Sequence, residues 1–311
     1  MQHTRVVIEG AITAALFIVL FFLSLFVPLF AIIAIFLWPI PILFHTAKHG
    51  VKPSIIVGLV SAILSLLFSN LMIALLAVVT LLTGLVMGGM IRKKTSAFAV
   101  LGGGSLAAIV GMIGLYGILA VFFHFDPMQY LIDQTLKMTD IAEKVNPILN
   151  SATKEELNMY RDTIKMMATL TPLLLTLSGV FYALITQLIG LPIIKRLGVK
   201  IPKWLPFREW RLPRSLIWYY LAVLIIMLFG HVAQGTTLFI VCFNIYQLLE
   251  FAMILQGITF IFFLCHSRKM NVSIPIIVSI LALFVPFLLY IVRILGIIDL
   301  GFDLRTRLRK P

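Results

Sequence analysis

The sequence predicts an all-α, polytopic helical membrane bundle of eight or nine spans, with an amphipathic helical hairpin on its outer face. Three observations carry this prediction. The 311 residues are 61% hydrophobic and 12% charged, more apolar surface than a soluble fold of that length can bury. Apolar stretches of about twenty residues, long enough to cross a bilayer as helices, recur along the whole chain. No segment alternates apolar and polar residues as a membrane β-barrel does. The net charge of +13 lies mostly in short loops beside spans. That is the positive-inside pattern, and it does not point to nucleic acid as a partner.

The first span covers about 6–27. Arg5 precedes it and no small-residue cleavage site follows, so it reads as a retained span with a cytoplasmic N-terminus. Pro28 marks a turn, and a short second span runs to about Phe44. The stretch "HTAKHGVKP", with Lys48 and Lys52, reads as a cytoplasmic loop. Spans at about 54–69 and 71–91 form a tight hairpin around Ser69 and Asn70. Arg92, Lys93 and Lys94 return the chain inside, and a fifth span covers about 97–123.

The polar segment of about 124–165 has five basic and seven acidic side chains, a net charge of −2 that suits the outer side. Asp126-Pro127 is a helix start: a capping carboxylate, then a proline where no amide donor is needed. Met128, Leu131, Ile132, Thr135, Leu136, Ile141, Val145 and Ile148 follow at helical spacing. Thr153 to Glu156 is a capping box opening a second helix. The two helices would lie in the interface or cover the bundle as a lid.

A sixth span covers about 167–194. The loop of about 195–214 has seven basic residues and one acid, interleaved with Trp204, Phe207 and Trp210. Pro202, Pro206 and Pro213 exclude a long helix there. Basic and aromatic residues at a membrane edge serve headgroup anchoring or partner docking. Spans at about 215–230 and 236–266 follow, then a last apolar stretch at about 272–298. Nine full crossings would put the basic tail outside, against the charge rule, so eight and nine both stay open. No domain boundary is visible, and residues 1–311 read as one integral membrane domain.

Candidate functional residues come from small side chains and from polar groups inside spans. In "EGAITAALFIVL", Ala11 and Ala15 are four apart, as are Gly10 and Ala14. In lipid, small residues matter because they let helix backbones approach, whether the other helix is in the same chain or in a partner. Gly84 with Gly88, and Gly103 with Ala107 and Gly111, repeat the device.

Asn244, Gln247 and Glu250 fall on one side of a later span. A mid-span acid costs about 2.5–3.5 kcal/mol. Seventeen Leu, Ile, Phe and Val residues between Leu238 and Leu264 offset it by roughly 8 kcal/mol, so the span still inserts. A polar strip of this kind faces the bundle interior or a water-filled cavity. It serves as a ligand or proton site, or as a structural hydrogen-bond network. Arg293 is a weaker candidate, placed by this topology nearer the outer face than Glu250.

His45 and His49 share a helix face but lack further ligands for a metal. Cys242 and Cys265 cannot make a disulfide framework. No nucleophile elbow, zinc-protease or nucleotide motif occurs. No catalytic residue, metal or cofactor is therefore expected, and the chain does not read as an enzyme.

The segments "TRVVIEGAITAALFIVL", "PIPILFHTAKHG", "ILQGITFIFFL" and "LGIIDLGFDLRTR" together resemble the YybS-like family of uncharacterised bacterial multi-pass membrane proteins. That family is distantly similar to the substrate-binding S components of energy-coupling-factor transporters. In those proteins an AxxxA motif of the first helix docks a transmembrane coupling subunit, and outer loops gate a small-solute site. The resemblance implies docking through Ala11 and Ala15, with ATPases behind the coupling subunit. S components commonly have six spans and about two-thirds of this length, and no vitamin-specific site carries over.

Two functional expectations result. One is a plasma-membrane S-component-like subunit that binds a small solute near Asn244, Gln247 and Glu250. The other is a membrane scaffold or assembly factor without a transported substrate, holding partners through a loop that contains Arg208 and Arg211.

Overall fold

The apolar stretches fold as helices in a computed structural model, which describes residues 2–145, 154–230, 233 and 235–308. No strand occurs among the described residues. Contacts gather the chain into two compact units, Met1–Trp204 and Leu205–Pro311, where the sequence suggests one continuous bundle. The junction falls in the proline-rich basic segment, which has no helix between Arg196 and the single 3-10 turn Phe207–Glu209. Each unit is described by itself.

The first unit contains α1 (Gln2–Phe26), α2 (Pro28–Leu37), α3 (Pro39–His49), α4 (Val51–Phe68), α5 (Leu71–Arg92), α6 (Ala97–Phe123), α7 (Pro127–Val145), α8 (Lys154–Met166) and α9 (Thr171–Arg196). Helices α2 and α3 together make the second span, Phe30–His49. The expected loop at 45–53 is a correction: it is helical except at Gly50, whose φ of 96° suits glycine and strains any other residue.

Phe17 and Phe21 of α1 are buried against Trp38, with ring centroids 6.3 and 5.1 Å away. On the opposite face Ile12, Leu16 and Val19 are exposed, as lipid-facing residues should be. Helices α3 and α5 meet through the spaced glycines expected from the sequence. A methyl group on Gly84 would lie 2.5 Å from the Pro39 carbonyl, and one on Gly88 would lie 2.5 Å from that of Leu43. Only bare backbone lets these helices approach so closely.

The helix start read at Asp126-Pro127 holds, and Asn70, read only as the turn of a hairpin, caps α5. The Asn70 side chain accepts from the Ile73 amide at 2.9 Å. Asp126 accepts from the Met128 and Gln129 amides at 2.9 and 3.0 Å. The Tyr116 hydroxyl also donates to Asp126, at 2.6 Å, tying the end of α6 to α7. That bond and the two amides hold the Asp126 carboxyl below the usual carboxylate range.

Helix α7 is amphipathic as expected. Ile132 is buried, whereas Leu131, Met138 and Ile141 remain exposed. Arg161 of α8 pairs with Asp140 at 2.9 Å. Ile148 and Thr153 lie outside the described residues.

The second unit contains α10 (Ser215–Phe229), α11 (Thr237–Ser267), α12 (Ser273–Phe284), α13 (Pro286–Phe302) and α14 (Leu304–Leu308). The last apolar stretch is not one straight crossing, because α12 and α13 meet at 118°. Pro286 opens α13, where its missing amide costs nothing. Contacts of α11 with α13 rise in register, Glu250 with Arg293 and Gln256 with Asp299, and continue into α14 as Thr259 with Arg305. The two helices therefore run parallel, and the bend between α12 and α13 turns the chain back along α11.

Beyond α13, Arg305 reaches the carbonyls of Arg208 and Trp210 in the basic segment. All nine apolar segments are helical among the described residues. Seven helices are long and apolar enough to cross a membrane, α10 is shorter, and the bent pair is the ninth segment.

Candidate functional site

The first turns of α1 split the small-residue motif between two faces. Gly10 is buried with Val57 and His45 against it, and Ala14 is buried too. Ala11 and Ala15 are exposed on the other face. The inward pair serves contact within the chain, and the outward pair is open to another helix.

Beside them Glu9 collects three donors: Arg5 Nε at 2.9 Å, Lys48 Nζ at 2.6 Å and His49 Nε2 at 2.7 Å. This joins α1 to the end of α3. His45 and His49 share a face, with ring centroids 4.8 Å apart. The buried His45 ring uses Nδ1 on the Ser54 hydroxyl at 2.7 Å. That hydroxyl donates to the Gly50 carbonyl at 2.7 Å, so the Nδ1 hydrogen is assigned to the imidazole.

The interior of the first unit also holds a polar group placed by a proline. Pro39 has no amide hydrogen, so the Ile35 carbonyl four residues earlier loses its usual helical donor. The buried Tyr182 hydroxyl replaces it at 3.0 Å, with the Thr80 and Thr186 hydroxyls alongside. Gln187 of the next turn donates to the Ala97 carbonyl at 2.9 Å. Tyr182→Phe should therefore leave a part-buried carbonyl without this donor and destabilise the protein by about 1 kcal/mol. Thermal unfolding in detergent measures this, and an unchanged midpoint would remove the role given to the phenol.

In the second unit, Asn244, Gln247 and Glu250 do not converge on one point. The Asn244 amide is buried and donates to the Ile240 carbonyl of its own helix at 2.7 Å. Gln247 is half-buried. Glu250 reaches another helix, accepting from Arg293 Nη1 in an ion pair. The Arg293 guanidinium lies 4.6 Å from the centre of the Tyr290 ring and 3.5 Å from the Tyr246 hydroxyl. The separate depths expected for Arg293 and Glu250 are thus corrected. The bend before Pro286 turns α13 back alongside α11 and brings the two charges level.

A second polar cluster joins the end of α13 to the basic segment. Asp299 accepts from Arg305 Nε at 2.9 Å and from Gln256 Nε2 at 2.5 Å. Arg305 also donates to the Arg208 and Trp210 carbonyls at 2.8 and 3.0 Å and to the Thr259 hydroxyl at 2.8 Å. The Gln256 carbonyl oxygen accepts from the Leu212 amide at 3.0 Å. Arg211 and Arg214 both pair with Asp303. The aromatic residues of this segment are half-buried, Trp204 on Phe98 and Phe207 on Phe262.

A family model described as a predicted membrane protein, DUF2232, matches residues 15–300. The chain belongs to the DUF2232 family. The match begins in α1 and ends in α13, so the family pattern includes both units. An uncharacterized protein, YybS of Bacillus subtilis (strain 168), is 27% identical over 311 residues, covering 99% of this chain and all of the relative. No solved structure matches the chain.

For this DUF2232 protein, sequence reasoning singled out Glu250 and named Arg293 as a weaker candidate, but set the two at different depths. It also passed over Glu9, Asp299 and Arg305. The clue for Glu9 was its place one residue before the small-residue motif, four after Arg5. Asp299 and Arg305 sit six apart, across a helix break at Asp303, whose φ is 51°. Spacing alone does not bring such a pair together.

Proposed function

We propose that this DUF2232 protein is the membrane-embedded binding and docking subunit of a small-solute uptake system of the S-component type. It would sit in the plasma membrane with its basic loops and N-terminus on the cytoplasmic side. The observation that carries the reading is the outward placement of Ala11 and Ala15 on the first helix of a unit with six candidate spans. That unit ends at Trp204 of 311 residues, close to the size that the resemblance implies for an S component. The α7 and α8 hairpin lies between its fifth and sixth spans, where it would serve as the outer cover. A transmembrane coupling subunit would pack on Ala11 and Ala15, and ATPases bound to that subunit would supply the energy. Of the polar strip of Asn244, Gln247 and Glu250, a solute would engage Glu250, by competing with Arg293.

Ala11→Trp and Ala15→Trp test the docking part. Each should leave the purified chain folded, because the side chains face outward, and should reduce recovery of the membrane partner by about tenfold or more. Quantitative mass spectrometry of complexes purified from native membranes reads this out. Unchanged recovery and unchanged solute uptake in both variants would reject the reading.

The scaffold reading rests on the Glu250–Arg293 pair, which makes the polar strip a tie between helices. Its docking residue would be Arg208 rather than Arg211, since Arg211 and Arg214 pair with Asp303 inside the unit. Arg208→Glu should then release a stable partner without any uptake defect.

A further inference from the structure

We infer that the first unit carries a specific site for one anionic phospholipid, with its phosphate at a basic mouth and an acyl chain in the groove between α1, α3 and α9. The groove has a volume of about 500 Å³. Its walls include Ile12, Leu16 and Val19 of α1, Ile40 and Phe44 of α3, and Ile193 of α9. Glu9 and Lys48 line one end, and Leu20 and Leu37 line the other. From Glu9 to Leu20 the groove follows α1 for roughly 16 Å at the helical rise per residue.

The lining argues for an acyl chain. Such a chain needs only apolar contact, and the walls offer it almost nothing polar except at the Glu9 and Lys48 end.

Charge selects the headgroup. Arg5 and Lys48 stand at the polar end with Glu9 as their shared carboxylate. Lys195 and Arg196 lie in the exposed last turn of α9, beside Leu197, which lines the groove. Gly190 packs near Ile40 and Leu43, so the following turns of α9 run toward the Lys48 end. Arg5 and Lys48 therefore hold the carboxylate, and Lys195 and Arg196 add positive charge from the end of α9. Arg92 donates to the Lys48 carbonyl and braces that turn. Lys48 spends one of its three donors on Glu9 and keeps the others for a phosphate. A basic pocket between spans favours a headgroup with no positive charge of its own, so phosphatidylglycerol should be held over phosphatidylcholine.

Native mass spectrometry of the full-length chain, released from vesicles containing both lipids with matched acyl chains, tests this. One phosphatidylglycerol per chain should persist at detergent concentrations that strip phosphatidylcholine. Lys48→Gln combined with Arg196→Gln should cut that retention by about fivefold or more. Leu16→Trp should do the same by filling the groove, with no change in charge. Lys93→Gln with Lys94→Gln, which removes basic residues outside the groove, should leave it intact. Thermal midpoints of all variants, measured in the same detergent, identify any that lose lipid by unfolding. Equal retention of the two lipids, indifference to Leu16→Trp in a folded variant, or equal loss in the Lys93 and Lys94 control would mean annular binding only and overturn the site.

Discussion

Arg305→Ala will destabilise the second unit by about 3–5 kcal/mol. The Asp299 and Arg305 side chains are 0% and 6% exposed, and removing the guanidinium leaves a carboxylate buried without its counter-ion. Arg305 also satisfies two backbone carbonyls of the basic segment and the Thr259 hydroxyl, so that segment should loosen at the same time. Thermal unfolding in detergent gives the loss of stability, and protease sensitivity around Arg208 gives the loosening. Asp299→Leu combined with Arg305→Met should recover much of the stability, because a well-packed apolar pair avoids the desolvation cost of the ions. It should not restore protection of the segment, whose carbonyls still lack donors. A stable, protease-resistant Arg305→Ala protein would remove the clamp from the account.

Glu250→Ala will cost about 2–3 kcal/mol, since it strands Arg293 inside an apolar bundle. The effect is smaller than at Arg305 because both side chains keep some exposure, 25% for Glu250 and 16% for Arg293. Glu250→Leu combined with Arg293→Leu separates the two uses of the polar strip. If the pair only ties α11 to α13, the double variant recovers both stability and cellular function. If Glu250 also contacts a solute, stability returns but uptake stays lost. Failure to recover either would mean that the two residues do not act as a pair.

Much of the bundle was legible because its signals are local. Hydropathy over twenty residues marks a span wherever the chain lies, and it placed α6 at 97–123 as observed. Asp126 announced a helix start because a cap needs only an acceptor two or three residues before the amides it satisfies. Gly84 and Gly88 announced a close helix contact, and only the structure named its partner as α3. The candidate site was less legible. Ala11 and Ala15 could be read as a docking pair, but their separation from Gly10 and Ala14 depends on which face α4 covers.

Proline shows why the rest was hidden. Pro192 lies inside α9 without ending it. Pro39 leaves α2 and α3 close enough to count as one span, with Tyr182 donating where the amide is missing. Pro286 instead stands at a 118° bend. The residue type is the same in all three, and its consequence is decided by what packs around it.

By itself the sequence determined the membrane class, the helices, their caps and the faces available for close packing, since these depend on residues a few positions apart. The tertiary structure decided which polar groups meet. Glu250 reaches Arg293 and Asp299 holds Arg305 only because the last apolar stretch turns back and runs parallel to α11. A charge buried in an apolar bundle must find a partner or remain very costly, and that partner is chosen by the path of the chain, forty or more residues away in the Glu250 pair.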